Sequence, residues 1–216
     1  EYGVTVVATS NTAPDDLYKG GLQRDRFLPF IELLKERMQV IELCGGTDYR
    51  RDRINSVGVY HSPLGVGAEE ALNDAFLGLT DGAEGLQEKL LVHGRTILVP
   101  KAARGVAYFP FDALCVRPLG VADYWTIACR YQTLILSDIP IFKPNDRNIA
   151  KRFSILIETL YEQKTKLICS AAAAPDNLYT EGDGAEIFTR IASRLDEMQS
   201  EEYLSAPHNP AAPKVL

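Results

Sequence analysis

The stretch VTVVATSNTAPDDLYKGGLQRDRF, residues 4–27, decides the fold. Its opening residues, Val4 to Ala8, are mostly β-branched and too few for a helix, so they predict a buried strand. The polar Asn11 follows that strand, and Arg24 and Arg26 come after a short helix and a glycine break. Ligands of open parallel sheets bind where the carboxyl ends of the strands emerge. This order of residues therefore suits a nucleotide site.

The residue spacing alone leaves two interpretations open. In the first, Asn11 holds a water beside a γ-phosphate, and Arg24 or Arg26 reaches a phosphate as an arginine finger. In the second, Asn11 is an ordinary turn residue, because asparagine after a strand often hydrogen-bonds the local backbone.

Composition narrows the class of protein. The chain has 216 residues with 46% hydrophobic and 24% charged residues, enough for one large domain or one and a half. The net charge of −6 argues against broad nucleic-acid binding. The basic run YRRDR at 49–53 is either a local basic patch or a solvated surface turn. The four cysteines lack CxxC spacing and the three histidines are far apart, so we predict buried cysteines and no metal site.

Seven segments resemble the ZapE/Afg-one-type ATPases, a branch of the AAA+ P-loop superfamily. They follow one another in order and cover the chain nearly end to end, which makes the resemblance specific. The segments are VVATSN at 6–11, PDDLY at 14–18, GLQRDRFLPFI at 21–31, PLGVADYW at 118–125, LILSDIP at 134–140, IAKRF at 149–153 and SRLDEMQSEEYL at 193–204.

The resemblance implies roles for five residues. Asn11 is expected to be the sensor-one residue, which bonds the lytic water or the γ-phosphate. Arg24 or Arg26 is expected to be the finger, acting in trans on the ATP of a neighbouring subunit. Arg147 or Arg152 is expected to bind nucleotide as the second sensor, although Arg152 also suits a solvated helix face.

The front half of the family's catalytic machinery has no counterpart in the sequence. No GxxxxGK[ST] occurs, and no apolar strand ends in a paired Asp-Glu. ATP and Mg²⁺ are therefore expected to be bound mainly by sequence N-terminal to Glu1, and these 216 residues alone are expected to be inactive. An apolar strand beginning almost at the first residue likewise predicts the back part of something larger.

The predicted fold class is α/β, a three-layer parallel sheet of P-loop NTPase type that is incomplete at its N-terminal side, with an additional β-rich and helical C-terminal region. Residues 1–60 are expected to be the back part of the nucleotide-binding core, residues 61–204 the C-terminal region, and residues 205–216 a disordered tail.

An internal repeat is predicted within the C-terminal region, at 134–179. Residues 167–179 align with 6–18 at five identical positions of thirteen. Ala172 stands where Asn11 stands, and Asp138 is followed by Ile139 rather than by an acid. The second copy is therefore expected to be structural and not catalytic.

Hydrophobic periodicity predicts the elements after residue 28. Helices are expected from Pro29, from about Ala68, over 84–91, over 122–131 with Trp125 in the core, from about Asp146, and over 186–199 with Ile187 buried. Strands are expected at 96–99 and 105–111 as antiparallel neighbours, and at 134–136 and 166–170.

Two functions from different classes follow. The first is the C-terminal portion of an AAA+-type ATPase that forms a homo-oligomeric ring and acts on protein clients in cell division or protein quality control. Its expected location is the cytoplasm, or the matrix side of mitochondria in a eukaryote. Peripheral membrane-associated proteins are possible partners. The second is a non-catalytic protein-binding module derived from such an ATPase. A Rossmann enzyme is excluded because no GxGxxG occurs.

Overall fold

Six strands form one mixed sheet in the order β1-β6-β5-β4-β3-β2. Strands β1, β6, β5 and β4 are mutually parallel, whereas β3 runs antiparallel to β4 and to β2. The expected α/β class is met, but the described sheet is mixed rather than wholly parallel. The strands are β1 (Tyr60–His61), β2 (Leu86–Val92), β3 (Arg95–Ala103), β4 (Val106–Pro110), β5 (Thr133–Ile139) and β6 (Lys166–Ala171).

The computed structural model describes Ala8 and residues 13–17, 24–40 and 58–209. Several sequence predictions fall outside the described residues. They concern Asn11, Cys44, the basic run at 49–53 and, apart from Ala8, the strand predicted over residues 4–8. The chain divides into two compact units, Glu1–Thr47 and Asp48–Leu216. The α-helices are α1 (Leu28–Arg37), α2 (Val66–Leu79), α3 (Val121–Arg130), α4 (Arg147–Glu162), α5 (Ala185–Glu197) and α6 (Glu201–Ser205).

The sheet of the second unit is covered by helices on both faces. On one face, Leu72 and Phe76 of α2 pack in a cluster with Val106, Ile135 and Ile168 of the strands. On the other face, α3, α4 and α5 contribute to a larger cluster with alternate residues of the same strands. Because successive strand side chains point to opposite faces, each strand serves both clusters.

An aromatic cluster anchors α4 and α5 beside the sheet. Neighbouring ring centroids lie between 5.5 and 6.0 Å apart, the spacing of favourable aromatic pairs. Its members are Phe111, Phe142, Phe153, Tyr179 and Phe188.

The helix predicted over 84–91 is wrong, because this segment is strand β2. It pairs with β3 through a two-residue turn in which His93 and Gly94 both have positive φ, at 45° and 77°. Such a turn matches the twist of a hairpin. Gly85, just before the strand, has φ of 81°, and a Cβ there would lie 2.7 Å from the Phe76 ring.

The prediction that Trp125 and Ile187 are core residues is also wrong. Trp125 is half-buried, whereas Tyr124 and Ile127 carry the core face of α3. Ile187 is 66% exposed, because Phe188 occupies the buried side of α5 within the aromatic cluster. The remaining predicted helices and strands in the described residues are confirmed, with ends within a few residues of those expected.

The last described residues are hydrogen-bonded to the rest of the second unit. Nζ of the buried Lys166 donates to the carbonyl oxygens of Tyr203 and Ala206, at 2.6 and 2.7 Å. The backbone N–H of Asn209 donates to the carbonyl of Gln163 at 3.0 Å. Residues 206–209, which the composition predicted as part of a disordered tail, are therefore tied down. Residues 210–216 lie outside the described residues.

Candidate functional site

The two finger candidates lie in one 3₁₀ turn, Arg24–Arg26, directly before α1. Arg24 is half-buried, and its Nη2 donates to the carbonyl oxygen of Asp15 at 2.6 Å. The carboxylate of Asp15 in turn accepts from Nζ of Lys35 at 2.8 and 3.0 Å. Asp15 therefore links the Pro14–Asp16 turn to the arginine turn through its carbonyl and to α1 through its carboxylate.

Arg26 differs from Arg24 in its surroundings. Its side chain is exposed and makes no hydrogen bond or ion pair with another described residue. Arg24 is engaged within its own unit, while Arg26 presents its guanidinium to solvent. The structure thus brings these two predicted site residues together; Asn11 lies outside the part of the chain that it describes.

The two second-sensor candidates both lie on α4 and both have partners within the second unit. Arg147 forms an ion pair with Asp183. Arg152 donates from Nε to the carbonyl of Cys115 at 2.6 Å and from Nη2 to that of Val116 at 3.3 Å. These carbonyls end the π-helical turn Asp112–Val116, so Arg152 satisfies acceptors that the turn leaves open.

The predicted repeat can be compared at its Pro-Asp turns alone. Pro14–Asp16 and Pro175–Asn177 are both single 3₁₀ turns that begin with proline and follow an extended alanine. Ala172, the counterpart of Asn11, donates its backbone N–H to the carbonyl of Ile139 at 2.8 Å and carries no polar side chain.

A cavity of about 540 Å³ opens at the carboxyl ends of β4, β5 and β6. Its floor is formed by Ser137 and Asp138 of β5, Ser170 of β6 and Tyr108 of β4. The first turn of α2 contributes Glu69 to the lining. The rest of the lining consists of Leu64, Gly65, Val66, Pro100 and Pro110.

Backbone geometry places Asp138 in this cavity. Its φ of 65° lies in the left-handed region, which aspartate enters more readily than most residues. Its N–H donates to Oγ of Ser170 at 2.9 Å, across to the neighbouring strand. The pairing of β5 with β6 is interrupted between Leu136 and Ile139, so the residue stands out of the regular ladder.

The two carboxylates of the cavity act on the Tyr108 phenol. Burial raises the pKa of the Tyr108 phenol, and the carboxylates of Asp138 and Glu69 raise it further, against the opposing effect of a hydrogen bond with Ser137. The phenol of Tyr108 is therefore neutral at physiological pH. Neither carboxylate forms an ion pair with another described residue.

The sequence reasoning missed this cavity. The sequence analysis assigns Asp138 only to a repeat copy without catalytic function. It predicts no role for Tyr108, Ser137, Ser170 or Glu69. A usable signal was present, because polar residues end two consecutive buried strands, LILSD and LICS, whose carboxyl ends must share one sheet edge.

The second unit is a layered α/β domain with a polar cavity at the carboxyl edge of its parallel strands, and the first unit presents paired arginines ahead of a helix. A family described as AFG1-like ATPase matches residues 1–207. The chain therefore belongs to the AFG1-like ATPase family.

Individual relatives agree with this assignment. The chain is 34% identical to the cell division protein ZapE of Escherichia coli over 95% of this chain and 55% of that protein. It is 35% identical to an uncharacterised protein of Schizosaccharomyces pombe, over 96% of this chain and 52% of that protein. It is also 35% identical to lactation elevated protein 1 homolog B of Danio rerio, over 91% and 40%.

The chain spans about half the length of the relatives that it matches. No solved structure shows a significant match to it. None of the described helices is both long enough and apolar enough to cross a membrane.

Proposed function

We propose that this chain is the C-terminal portion of an AAA+-type ATPase and that its turn Arg24–Arg26 completes the ATP site of a neighbouring subunit. The observation that carries the proposal is the pair of arginines in one turn, one anchored by Asp15 and the other exposed. Family membership supports the chemistry, because the family is one of ATPases.

The chain's own residues do not fit as the main holder of ATP and Mg²⁺. The sequence lacks the GxxxxGK[ST] loop whose backbone N–H groups and lysine cradle phosphates. Among the described residues no group of three or more His, Cys, Asp or Glu side chains is placed to hold a metal ion. We therefore assign the phosphate loop and the Mg²⁺ ligands to a longer polypeptide that includes this chain.

Within that arrangement Arg26 is the better finger. A guanidinium aimed at the transferring phosphoryl group stabilises the negative charge that accumulates in the transition state, and such a finger is worth about 10³- to 10⁵-fold in kcat. Its side chain must reach out of its own subunit, as the exposed Arg26 can. Arg24 fits a supporting role, since the Asp15 carbonyl already binds its guanidinium.

The other site residues fit the proposal unequally. Asn11 would bond the lytic water or the γ-phosphate from the end of the preceding strand. Arg147 and Arg152 remain candidates for the second sensor, but each would first have to leave the partner it has here: Asp183 for Arg147, the carbonyls of Cys115 and Val116 for Arg152.

A finger that acts in trans requires a homo-oligomer, and a ring places every finger beside a neighbour's ATP. One relative is named a cell division protein, which supports a role in cell division, and we propose that protein clients are acted on there. Protein quality control is the other client process in our proposal. We place the protein in the cytoplasm, or on the matrix side of mitochondria if the source is eukaryotic, where peripheral membrane-associated proteins could be partners.

A second candidate is a protein-binding module without catalytic activity. The observation that favours it is the missing phosphate loop in these 216 residues. Under this alternative the arginine turn would have no ATP to reach, and the folded second unit would carry the function by docking other proteins.

The test is ATP turnover by the longer polypeptide with Arg26→Ala and Arg24→Ala, and with Arg37→Ala as the matched control from the exposed end of α1. We expect Arg26→Ala to lower kcat by about 10³-fold or more with a small change in KM, because the lost interaction belongs to the transition state. Arg24→Ala should lower kcat less, and Arg37→Ala should leave it unchanged.

Subunit mixing tests whether the arginine acts in trans. Subunits with Arg26→Ala keep an intact phosphate loop, whereas subunits with the loop lysine replaced keep an intact arginine. A mixture of the two should regain part of the turnover that each lacks alone. Unchanged kcat in both Arg26→Ala and Arg24→Ala would contradict the finger assignment. No ATP turnover by the longer polypeptide itself would leave the binding module as the function.

A further inference from the structure

The cavity at the carboxyl ends of β4, β5 and β6 has no role in the proposed ATPase chemistry, and its lining is chemically specific. Two carboxylates, Glu69 and Asp138, line it without a cation. Its volume lies in the range of ligand pockets, roughly 300–1,000 Å³. Both residues are exposed, and neither carboxylate forms an ion pair with another described residue, so a cation bound in the cavity would interact favourably with both.

The cavity floor also holds one buried hydroxyl, that of Ser170, with an unused hydrogen-bond donor. Ser170 is 2% exposed, and its Oγ accepts the N–H of Asp138, but its hydroxyl hydrogen has no acceptor among the described residues. Ser137 is also buried, but its hydroxyl is already hydrogen-bonded with Tyr108. Buried polar groups are normally hydrogen-bonded, so a donor left open at a cavity wall indicates an occupant with polar atoms.

The rim of the cavity is apolar. Leu64 and Val66 are among the exposed large hydrophobic residues, and Pro100 and Pro110 are exposed as well. An ion with a compact hydration shell would gain nothing from these walls, whereas an aliphatic stem would pack against them. The absence of a third His, Cys, Asp or Glu placed for a metal among the described residues also disfavours a metal ion.

We propose that this cavity binds an organic cation, an ammonium or guanidinium group on an aliphatic stem, which Glu69 and Asp138 hold at the polar floor while the apolar rim covers the stem. Lysine and arginine side chains of a protein segment carry this chemistry, and so do small free amines. The inference rests on the cavity and is independent of the ATPase proposal.

Binding is measured on the ¹⁵N-labelled 216-residue chain by NMR titration. The probes are N-acetyl-lysine methylamide and N-acetyl-arginine methylamide, with the neutral analogues N-acetyl-norleucine methylamide and N-acetyl-citrulline methylamide as controls. We expect the cationic probes to shift the amide signals of Val66, Ser137, Asp138 and Ser170. The neutral analogues should bind at least about tenfold more weakly, because they lack the charge-assisted hydrogen bonds.

The variants are Glu69→Gln and Asp138→Asn, with Glu70→Gln as the matched control. Glu70 is the exposed neighbour on the same helix and does not line the cavity. Asparagine tolerates the left-handed conformation of residue 138, and Glu69→Gln changes an exposed surface side chain, so both variants should fold. Each should raise the Kd of the cationic probes about tenfold, while Glu70→Gln should change it less than twofold.

Butylamine distinguishes the two sources of the cation. A protein segment is favoured if the capped lysine binds more tightly than butylamine, and a small free amine is favoured if it does not. Three results with the unmodified chain would overturn the proposal: neutral analogues that bind as well as the cationic probes, MgCl₂ that reproduces the shifts where the organic cations do not, or cationic probes that leave the cavity signals unmoved. Loss of binding in Glu70→Gln equal to that in Glu69→Gln would do the same.

Discussion

Asp123 shows how a single buried charge is made tolerable. It is fully buried, and both of its oxygens accept from Nη2 of Arg95, at 2.8 and 2.9 Å. One of them also accepts from the backbone N–H of Gly120 at 2.8 Å, which caps the start of α3. Because a lone buried carboxylate would be costly, the Arg95 guanidinium is what allows it to remain inside.

Replacing Asp123 measures how much its carboxylate contributes to the free energy of unfolding. Asp123→Ala removes the helix cap and the ion pair together, so we expect a loss of about 2 kcal/mol in the free energy of unfolding, discounted because the Arg95 side chain is 57% exposed. Urea unfolding measures this loss. Asp183→Ala serves as the control, because Asp183 and Arg147 are 67% and 65% exposed and their pair should contribute less than about 1 kcal/mol. Equal losses in the two variants would contradict the interpretation.

At the scale of elements, Lys166 joins the start of β6 to the last helix. Its Nζ donates to the carbonyls of Tyr203 and Ala206, at the end of α6, and lies 4.9 Å from the centre of the Tyr203 ring. The hydroxyl of Tyr203 in turn donates to the carbonyl of Leu160 at 3.2 Å. The two side chains together fix α6 against the amino ends of the central strands.

Lys166→Met should release this end of the chain. Loss of the charged donor removes one hydrogen bond from each carbonyl, although that of Tyr203 still accepts from the N–H of Ala206 at 3.2 Å. We therefore expect a cost of about 2 kcal/mol in unfolding free energy and faster amide exchange over 203–209. Hydrogen exchange read by mass spectrometry measures it. Lys164→Met is the matched control, because Lys164 contacts the rings of Tyr161 and Tyr203 only by cation–π geometry and should change exchange little. Unchanged exchange in Lys166→Met would show that α6 is held by packing alone.

Long amphipathic elements were predictable because one stripe of residues decides them. Helices α2 and α4 follow from apolar spacing that tertiary contacts do not override, and proline at its first turn starts α1 as expected. Strand β2 was not predictable by the same means, because an edge strand carries a weak pattern and its hairpin depends on positive φ at His93 and Gly94.

The cavity was beyond sequence reasoning for a different physical reason. Glu69, Tyr108, Asp138 and Ser170 come from four distant segments that meet only through strand order and register. Periodicity indicates which face of an element is buried, but it does not give the neighbour of a strand. Polar strand ends were visible in the sequence, while the helix turn and the apolar rim that complete the cavity were not.

At the scale of the whole molecule, buried phenols set its response to alkali. Burial is the largest cause that raises the pKa of a set of tyrosines above the ordinary value of about 10. In Tyr131 the hydrogen bond to Glu88 adds to the effect. The set consists of Tyr60, Tyr108, Tyr124, Tyr131 and Tyr203.

Because the folded pKa of these groups is raised, their contribution to stability is complete below about pH 10 and is lost as the pH rises toward the folded values. The free energy of unfolding should fall above pH 10 by about 1.4 kcal/mol per pH unit for each such tyrosine. Urea unfolding between pH 8 and 11, with phenolate absorbance at 295 nm, measures this fall. Tyr131→Phe should reduce the slope by one tyrosine's share. Phenolate absorbance that is complete near pH 10 in the folded chain would refute the prediction.

The short strand β1 has a consequence for how quickly the chain reaches its native state. Tyr60 and His61 of β1, the first described strand in sequence, pair with Cys169 and Ser170 of β6, the last one. By contrast, β5, α4 and β6 follow one another directly along the chain. Closing so long a loop costs entropy before any contact repays it, so local pairs form first. We therefore expect the β5-α4-β6 unit to form the folding nucleus and β1 to dock with α2 after the rate-limiting barrier. Substitutions that weaken the packing of β1 should therefore raise the unfolding rate and leave the refolding rate almost unchanged.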